Sequence, residues 1–372
     1  PPARTPIPRT PDSILRPRTP EPTEPDEEKP LTEILICSYL EPEQVERVRR
    51  AAPELRVSYR PDLIPKPRYE ADHIGEPLVR TEAQAAEWRR LLARAEILFD
   101  FDHSDPAGML EHARSVRCVQ ATSAGIGQYV RRHGLENLPA ILTTAAGVHA
   151  RPLAEFVFWG VLTFAKNYPQ ARAQQARKHW QRFHNDDLEG KTLAVVGLGA
   201  IGREVARTAR HFGMRALASK RNTAGLEAAD LGVDRLYPMS ELHAMLAEAD
   251  VVVLILPHTD ETEGVFGAEA FDALKPGALL INVGRGASLD EAALLAALAS
   301  GKLRGAVLDV AAQEPLPAEH PLWDLENVYI FPHSASTSRN ENRRLVDLFL
   351  ENLRRYRAGC ALKNVFDPEK QY

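Results

Sequence analysis

From Leu31 onward, apolar and polar positions alternate in blocks. LTEILICSYL (31–40) reads as a strand, Pro42 to Ala51 as a short helix, and EILFDFD (96–102) and RCVQATSA (117–124) as further strands. Alternation of strand and helix implies a parallel sheet. Pro61, Pro65, Pro67 and Pro77 interrupt the stretch from Pro61 to Arg80, which has little periodicity and predicts a long ordered loop of the kind that lines a site. In RPLAEFVFWGVLTFAK (151–166), Pro152 suits a first helical turn, and Leu153, Phe156, Val157 and Gly160 recur at helical spacing. This predicts a buried helix joining two domains. Between Lys191 and His333 the strand candidates are TLAVVG, MRALAS, RLYP, DVVVLIL, GALLINVG and GAVLDV, with NVYIFP following. DEAALLAALASG (290–301) is a helix capped by Asp290 and stopped by Gly301. That order suits a doubly wound dinucleotide fold. The last helix, Asn340 to Arg357, carries Leu345, Leu348, Phe349, Leu353 and Tyr356 along one stripe and is expected to return to the first domain, making that domain discontinuous.

The first thirty residues follow another rule. They hold ten prolines, Arg-Thr-Pro triplets ending at Pro6, Pro11 and Pro20, and an acidic run from Asp26 to Glu28. Such a segment cannot bury a core and reads as an extended, polyproline-like tail. No apolar run follows its charged start, so a secretory signal is not expected, and a start at Pro1 fits a processed or trimmed chain. The remaining length suits two domains within the 372 residues. A net charge of −5 gives no basic field for nucleic acid. The longest purely apolar strip, Ala292 to Ala299, is too short for a bilayer, so no membrane partner is expected. Cys37, Cys118 and Cys360 are widely spaced and form no CxxC, which predicts neither a disulfide framework nor a metal site and suits a reducing, cytoplasmic compartment.

The chemistry concentrates after Lys191. Gly197-Leu198-Gly199-Ala200-Ile201-Gly202 is a GxGxxG between an apolar strand and a helix. In that setting Gly197 permits the tight turn, Gly199 lets backbone approach a pyrophosphate, and Gly202 lets helix and strand pack closely, while the first-turn amides of Ala200 and Ile201 face the phosphates. An NAD site would place an acid after the second strand. This chain has Ser219, Lys220 and Arg221 there instead, a hydroxyl and two cations that favour the 2′-phosphate of NADP, with NAD as the alternative. Three further spots lie at predicted strand ends, where open α/β sheets bind ligands. Arg285 sits between two glycines and suits capture of a carboxylate. Asp309 and Glu314 follow the next strand, and His333 ends the one after, a histidine near a carboxylate being a plausible acid/base unit.

With these motifs in order, from GLGAIG through LPHTDETEG (256–264), LINVGRGASLDEAAL (280–294), GAVLDVAAQEPLP (305–317) and HPLWDLENVYIFPH (320–333), the chain resembles the D-isomer-specific 2-hydroxyacid dehydrogenases, a group that includes glyoxylate/hydroxypyruvate reductases and phosphoglycerate dehydrogenases. The resemblance runs from about Leu31 to the C-terminus. It implies an α/β protein of two Rossmann-like domains, with a doubly wound dinucleotide-binding domain (149–334) inserted into a smaller flavodoxin-like substrate domain (31–148 and 335–372). Arg285 would bind the substrate carboxylate, His333 would be general acid and base, and Glu314 would hold the imidazole. Asp309, Val283 and Gly284 would hold the nicotinamide, with Leu256 and Pro257 packing against the cofactor. Ser123, Ala124, Gly125 and Ile126 would form the substrate-carboxylate loop. Formate dehydrogenases of the same fold place glutamine where Glu314 stands, so Glu314 points to keto-acid reduction. The residues after His333, Ser334-Ala335-Ser336, depart from the family's branched apolar and small pair.

The expected function is therefore an oxidoreductase that reduces a small 2-keto acid to a D-2-hydroxy acid with NADP or NAD, as a homodimer paired through the helix near Ala150 to Tyr168. The alternatives are a phosphoglycerate dehydrogenase, for which no extra basic cluster is evident, and a dinucleotide-sensing scaffold resembling corepressors of this fold, with the tail as its docking segment. For the wall around the substrate side chain, the candidates are the 61–80 loop and the Asp102-His103 turn.

Overall fold

The computed structural model describes residues 32–370, so the proline-rich leader lies outside the described residues. The first half builds a parallel sheet from β1 (Glu33–Ile36), β2 (Arg56–Tyr59), β3 (Ile97–Phe99), β4 (Cys118–Gln120) and β5 (Ile141–Thr143), in the order β2-β1-β3-β4-β5. This is the flavodoxin-like order, whose crevice opens where the order reverses beside β1. Helices α1 (Pro42–Ala51), α2 (Glu82–Arg94), α3 (Pro106–His112) and α4 (Gly127–His133) connect the strands. The strands are shorter than the sequence predicts: 31–40 yields only four strand residues, all buried, before the chain turns away at Cys37. Strands β2 and β5 give only a short apolar signal because they are edge strands: β2 is nowhere fully buried, and β5 is three residues long with Ile141 exposed.

The second half begins with α5 (Ala150–Ala165) and α6 (Tyr168–Ala176). It then forms a sheet from β6 (Thr192–Val196), β7 (Arg215–Lys220), β8 (Arg235–Pro238), β9 (Val251–Leu254), β10 (Ala278–Asn282), β11 (Leu303–Leu308) and β12 (Val328–Ile330). All seven are parallel, in the order β12-β11-β10-β9-β6-β7-β8. The order reverses between β6 and β9, which makes their C-terminal ends the ligand crevice. Helices α7 (Ala200–His211), α8 (Leu242–Leu246), α9 (Ala268–Ala273) and α10 (Glu291–Ala299) link these strands, and α11 (Glu341–Arg357) follows. Asp290 caps α10 as the sequence predicts, accepting the N–H groups of Ala292 (2.9 Å) and Ala293 (3.0 Å).

Two chain crossings join the halves. Helix α5 lies on the second sheet, where a β-carbon at Gly160 would come within 3.0 Å of Val307. Helix α11 returns to the first sheet: Leu345, Val346, Phe349 and Leu353 share a core with Ile34, Ile36, Val45 and Val48. His149 at the start of α5 and Glu341 at the start of α11 are both buried and meet at 3.0 Å, which ties the crossings to each other. Among the described residues no helix is long and apolar enough to cross a membrane.

The 61–80 segment contains neither helix nor strand, and its order comes from buried charge. Asp72 accepts hydrogen bonds from the backbone of Arg68, Ile74 and Gly75 and an ion pair from the Arg68 guanidinium. Burial would raise its carboxyl, but these partners hold it down at about 2. Asp102, expected in the pocket wall, is fully buried instead. It accepts Arg80 Nη1 (3.1 Å), Arg80 Nη2 (3.3 Å), Trp88 Nε1 (2.6 Å) and the Ser104 N–H (3.0 Å), so it fastens the loop to the sheet. Asp102→Ala would strand a guanidinium whose side chain is 8% exposed. The expected loss is about 3 to 5 kcal/mol of unfolding free energy in urea titration, and a loss below about 1 kcal/mol would contradict this role.

Candidate active site

The glycine turn between β6 and α7 shows why each glycine is required. Gly197 has φ +105°, and a β-carbon there would lie 2.7 Å from the Ile255 carbonyl oxygen. At Gly202 a β-carbon would meet the Gly197 carbonyl oxygen at 2.6 Å and Val195 at 3.0 Å, so glycine permits the helix to sit down on the strand. Gly199 differs from both. Its backbone is ordinary (φ −95°), and a β-carbon would find nothing within 4 Å among the described residues. The protein's own packing gives no reason for glycine there, whereas a group lying over the turn does. Ala200 and Ile201 start α7, whose first turn has no side-chain cap and no acid, leaving backbone donors facing that space. Leu256 and Pro257 follow β9 and brace the neighbouring turn: a β-carbon at Gly284 would lie 2.9 Å from both the N and the O of Leu256.

Arg285 follows β10 on a turn held from three sides. Asn282 accepts the Gly284 N–H (3.1 Å), and its Nδ2 donates to the Arg285 carbonyl (3.3 Å), as does Ser288 Oγ (2.7 Å). Val283 and Gly284 are buried within that turn. The guanidinium donates from Nη1 to the Gly284 carbonyl (2.8 Å) and reaches the first domain, where only a glycine at 125 leaves it room. Burial holds the Arg285 pKa below its ordinary value, against the attraction of Glu314 and Asp309. A partly desolvated guanidinium is a strong anion binder when an anion is presented.

His333 lies just beyond β12 in the left-handed region, φ +52°, uncommon for a side chain with a β-carbon. Two contacts hold it there. Its N–H donates to the Asp309 carbonyl (2.8 Å), and its Nδ1 lies 2.8 Å from Glu314 Oε2. That contact leaves Nε2 to the solvent side, with the imidazole 43% and the Glu314 side chain 40% exposed. Partial burial tends to raise the Glu314 carboxyl, but the hydrogen bond and charge of His333 prevail and lower it. Glu314 Oε1 also accepts the Ala311 N–H (3.2 Å). Asp309 is almost fully buried, and its Oδ1 accepts the N–H groups of Ser334 (2.8 Å) and Ala335 (2.9 Å), so it shapes the loop that presents His333. Burial raises its pKa despite those two donors and His333.

The first domain contributes the Ser123–Gly127 loop after β4. Its base is pinned by Asp100, fully buried with φ +69°, whose Oδ2 accepts Thr122 Oγ1 (2.9 Å) and faces His103 Nε2 (3.4 Å). Burial would raise the Asp100 carboxyl, but the His103 charge brings it to about 2, while Asp100 raises the His103 pKa against its own burial. Two expectations change here. Ile126 points away from the crevice into the core beneath α4, and the Gly125 N–H donates to Ser123 Oγ (3.3 Å) within the loop. Gly125 remains at the crevice side, against the Arg285 guanidinium. A contact the sequence did not signal, Gln128 Nε2 on His258 Nδ1, also joins α4 to the loop after β9. The two residues are 130 apart in the chain, beyond the reach of any local pattern.

At the end of β7 the expected trio separates. The Ser219 side chain is fully buried, and its hydroxyl has no partner among the described residues, so it does not stand open to a phosphate. Lys220 is half-buried at the strand end, and Arg221 follows it at the surface, with Nη2 2.9 Å from Glu261 Oε2.

A glycine turn at the switch point of a doubly wound parallel sheet, with ligand-facing groups on the adjoining strand ends, is the arrangement of a dinucleotide-binding protein. The chain belongs to the D-isomer specific 2-hydroxyacid dehydrogenase family, whose NAD binding domain model matches residues 158–335. It is 32% identical over 289 residues to glyoxylate/hydroxypyruvate reductase B of Shigella boydii, covering 75% of this chain and 86% of that one. Among solved structures it is similar to a D-isomer specific 2-hydroxyacid dehydrogenase family protein from Aeromonas salmonicida (34% identity, TM-score 0.72, 90% and 99% of the two chains). It is also similar to an NADPH-dependent glyoxylate/hydroxypyruvate reductase from Sinorhizobium meliloti, solved with NADP and sulfate (26% identity, TM-score 0.73, 92% and 100%).

Proposed function

We propose that the chain reduces a small 2-keto acid to the D-2-hydroxy acid with NADPH, NADH being the alternative donor. The observation that carries this reading is the Arg285 guanidinium seated against Gly125, with the His333–Glu314 pair on a neighbouring strand end. A bound nicotinamide cofactor supplies the hydride. Gly197, Gly199 and the first turn of α7 would hold its pyrophosphate, Leu256, Pro257, Val283, Gly284 and Asp309 its nicotinamide half, and Lys220 and Arg221 a 2′-phosphate. Arg285 binds the carboxylate of the keto acid by a charge-assisted fork and draws electron density from the adjacent carbonyl. His333, with Nδ1 engaged by Glu314, delivers its Nε2 proton to the carbonyl oxygen and takes it back in the reverse direction. We take 31–148 with 335–372 as the substrate domain and 149–334 as the dinucleotide domain. Pairing with a second copy would run through α5, where Trp159 is 40% exposed beside Phe156, Tyr329 and Phe331. Transfer of deuterium to C2 of the product from NADPH labelled at C4, with the 4R and 4S deuterides tested separately and read by mass spectrometry, tests the reading, and product without deuterium at C2 from either label would sink it.

The glycines give a sharper check. Gly199→Ala is expected to change unfolding free energy by less than about 0.5 kcal/mol while weakening NADPH binding roughly tenfold. Gly202→Ala, which drives a β-carbon into the Gly197 carbonyl, is expected to cost about 1 to 3 kcal/mol of stability. Calorimetric unfolding with cofactor fluorescence titration separates the two. Equal stability loss in both variants would contradict the assignment of Gly199 to the cofactor.

A further inference from the structure

We infer that Glu261 is a cofactor-selectivity residue, supplying from across the crevice the carboxylate that the end of β7 lacks. The inference rests on the proposed nicotinamide site and adds a residue to it. Strands β7 and β9 flank β6, so an ion pair from Arg221, after β7, to Glu261, in the loop after β9, crosses the C-terminal end of β6. That end is the glycine turn over which the dinucleotide is placed. In this fold the adenosine ribose lies at the end of the second strand of the dinucleotide sheet, here β7, where NAD-binding chains carry an acid. No acid stands between Met214 and Thr223. An acid reaches Arg221 instead from the opposite loop, with Glu261 Oε2 2.9 Å from Arg221 Nη2.

The pairing makes Glu261 act in opposite directions on the two cofactors. Toward a ribose 2′-phosphate it is a competitor: it occupies the guanidinium that the phosphate needs and adds a like charge beside it. Toward an unphosphorylated ribose it is an acceptor for the hydroxyl groups, as the usual strand-end acid would be. The same residue therefore keeps NADPH affinity below what Lys220 and Arg221 alone would give and keeps NADH usable. The Glu261 side chain is 68% exposed and that of Arg221 44%, so the pair is open to exchange with an incoming ligand and contributes little to the fold.

The test is titration of the full chain and of Glu261→Gln, Arg221→Ala and the double variant with NADPH and NADH, and with the fragments 2′,5′-ADP and 5′-ADP. Removing the carboxylate is expected to tighten NADPH and 2′,5′-ADP roughly three- to tenfold and to weaken NADH by roughly threefold. The gain in NADPH affinity should shrink when Arg221 is already alanine, because the competition for that guanidinium is gone and only the like-charge repulsion remains to be relieved. An unmoved NADPH-to-NADH ratio in Glu261→Gln overturns the inference, and equal movement of both cofactors overturns it too. The NADP reading is judged separately by Arg221→Ala. If that variant loses NADPH affinity while Glu261→Gln moves nothing, the NADP reading stands and the role of Glu261 falls. If the wild type prefers NADH and Glu261→Gln still swings the ratio toward NADPH, the role of Glu261 stands and the preference for NADPH falls.

Discussion

Arg285→Ala is expected to lower kcat/KM for glyoxylate or hydroxypyruvate by about two to four orders of magnitude while leaving the NADPH dissociation constant within about threefold. The expectation follows from position. The guanidinium stands on a turn braced by Asn282 and Ser288 and reaches across to Gly125, so the binding group is in place before substrate arrives. Arg285→Lys should recover little of the loss, since a point charge cannot reproduce the planar fork. Gly125→Ala should behave like a mild Arg285 variant, because its β-carbon competes with the guanidinium for one space. Steady-state kinetics with a cofactor-binding control decides: if Arg285→Ala loses NADPH affinity as steeply as turnover, the arginine serves the cofactor instead of the substrate.

The second large effect is expected at His333. His333→Asn removes the proton donor and should lower kcat by about two to four orders of magnitude with a much smaller change in KM. Glu314→Gln keeps a partner for Nδ1 but removes the charge, and its loss should be smaller than that of His333→Asn. The left-handed backbone at His333 gives a control. Asparagine tolerates φ +52° better than a branched residue does, so His333→Asn separates lost chemistry from lost geometry, whereas His333→Val would confound them. A fall in kcat below tenfold for His333→Asn would mean that another group or water delivers the proton.

Much of this arrangement is legible in the chain because its signals are local. The GxGxxG turn, the capped α10 and the strand ends at Arg285, Asp309 and His333 are each written in a dozen consecutive residues. The roles of Gly197 and Gly202 also follow from local geometry, as a positive φ and a close helix–strand contact. What escaped is what forms between distant segments or on thinly covered edges. Strands β2 and β5 lie at the ends of their sheet and are too short to show a pattern. Asp102 looks like an exposed turn residue until Arg80 and Trp88, from the loop and from α2, close over it. Ser219 reads as a phosphate ligand beside two cations, yet β7 is covered on both faces and its residues from Ala216 to Ser219 are all fully buried. Arg221 reads as a ligand too, but its partner Glu261 lies 40 residues further on, beyond any local pattern. Helix α2 had a readable start, Thr81 with Gln84, the capping box present in the structure.

In the proposed function Arg285, Glu314 and His333 form one site for reducing a 2-keto acid at the expense of a nicotinamide cofactor. The most direct measurement is the initial rate of NADPH and NADH oxidation at neutral pH with glyoxylate, hydroxypyruvate and phenylpyruvate, run on the wild type beside Arg285→Ala and His333→Asn. Turnover of at least one acid by the wild type, faster with NADPH and nearly abolished in both variants, is the predicted result. A wild type that binds cofactor yet turns over none of the acids, or variants that match it, would contradict the claim.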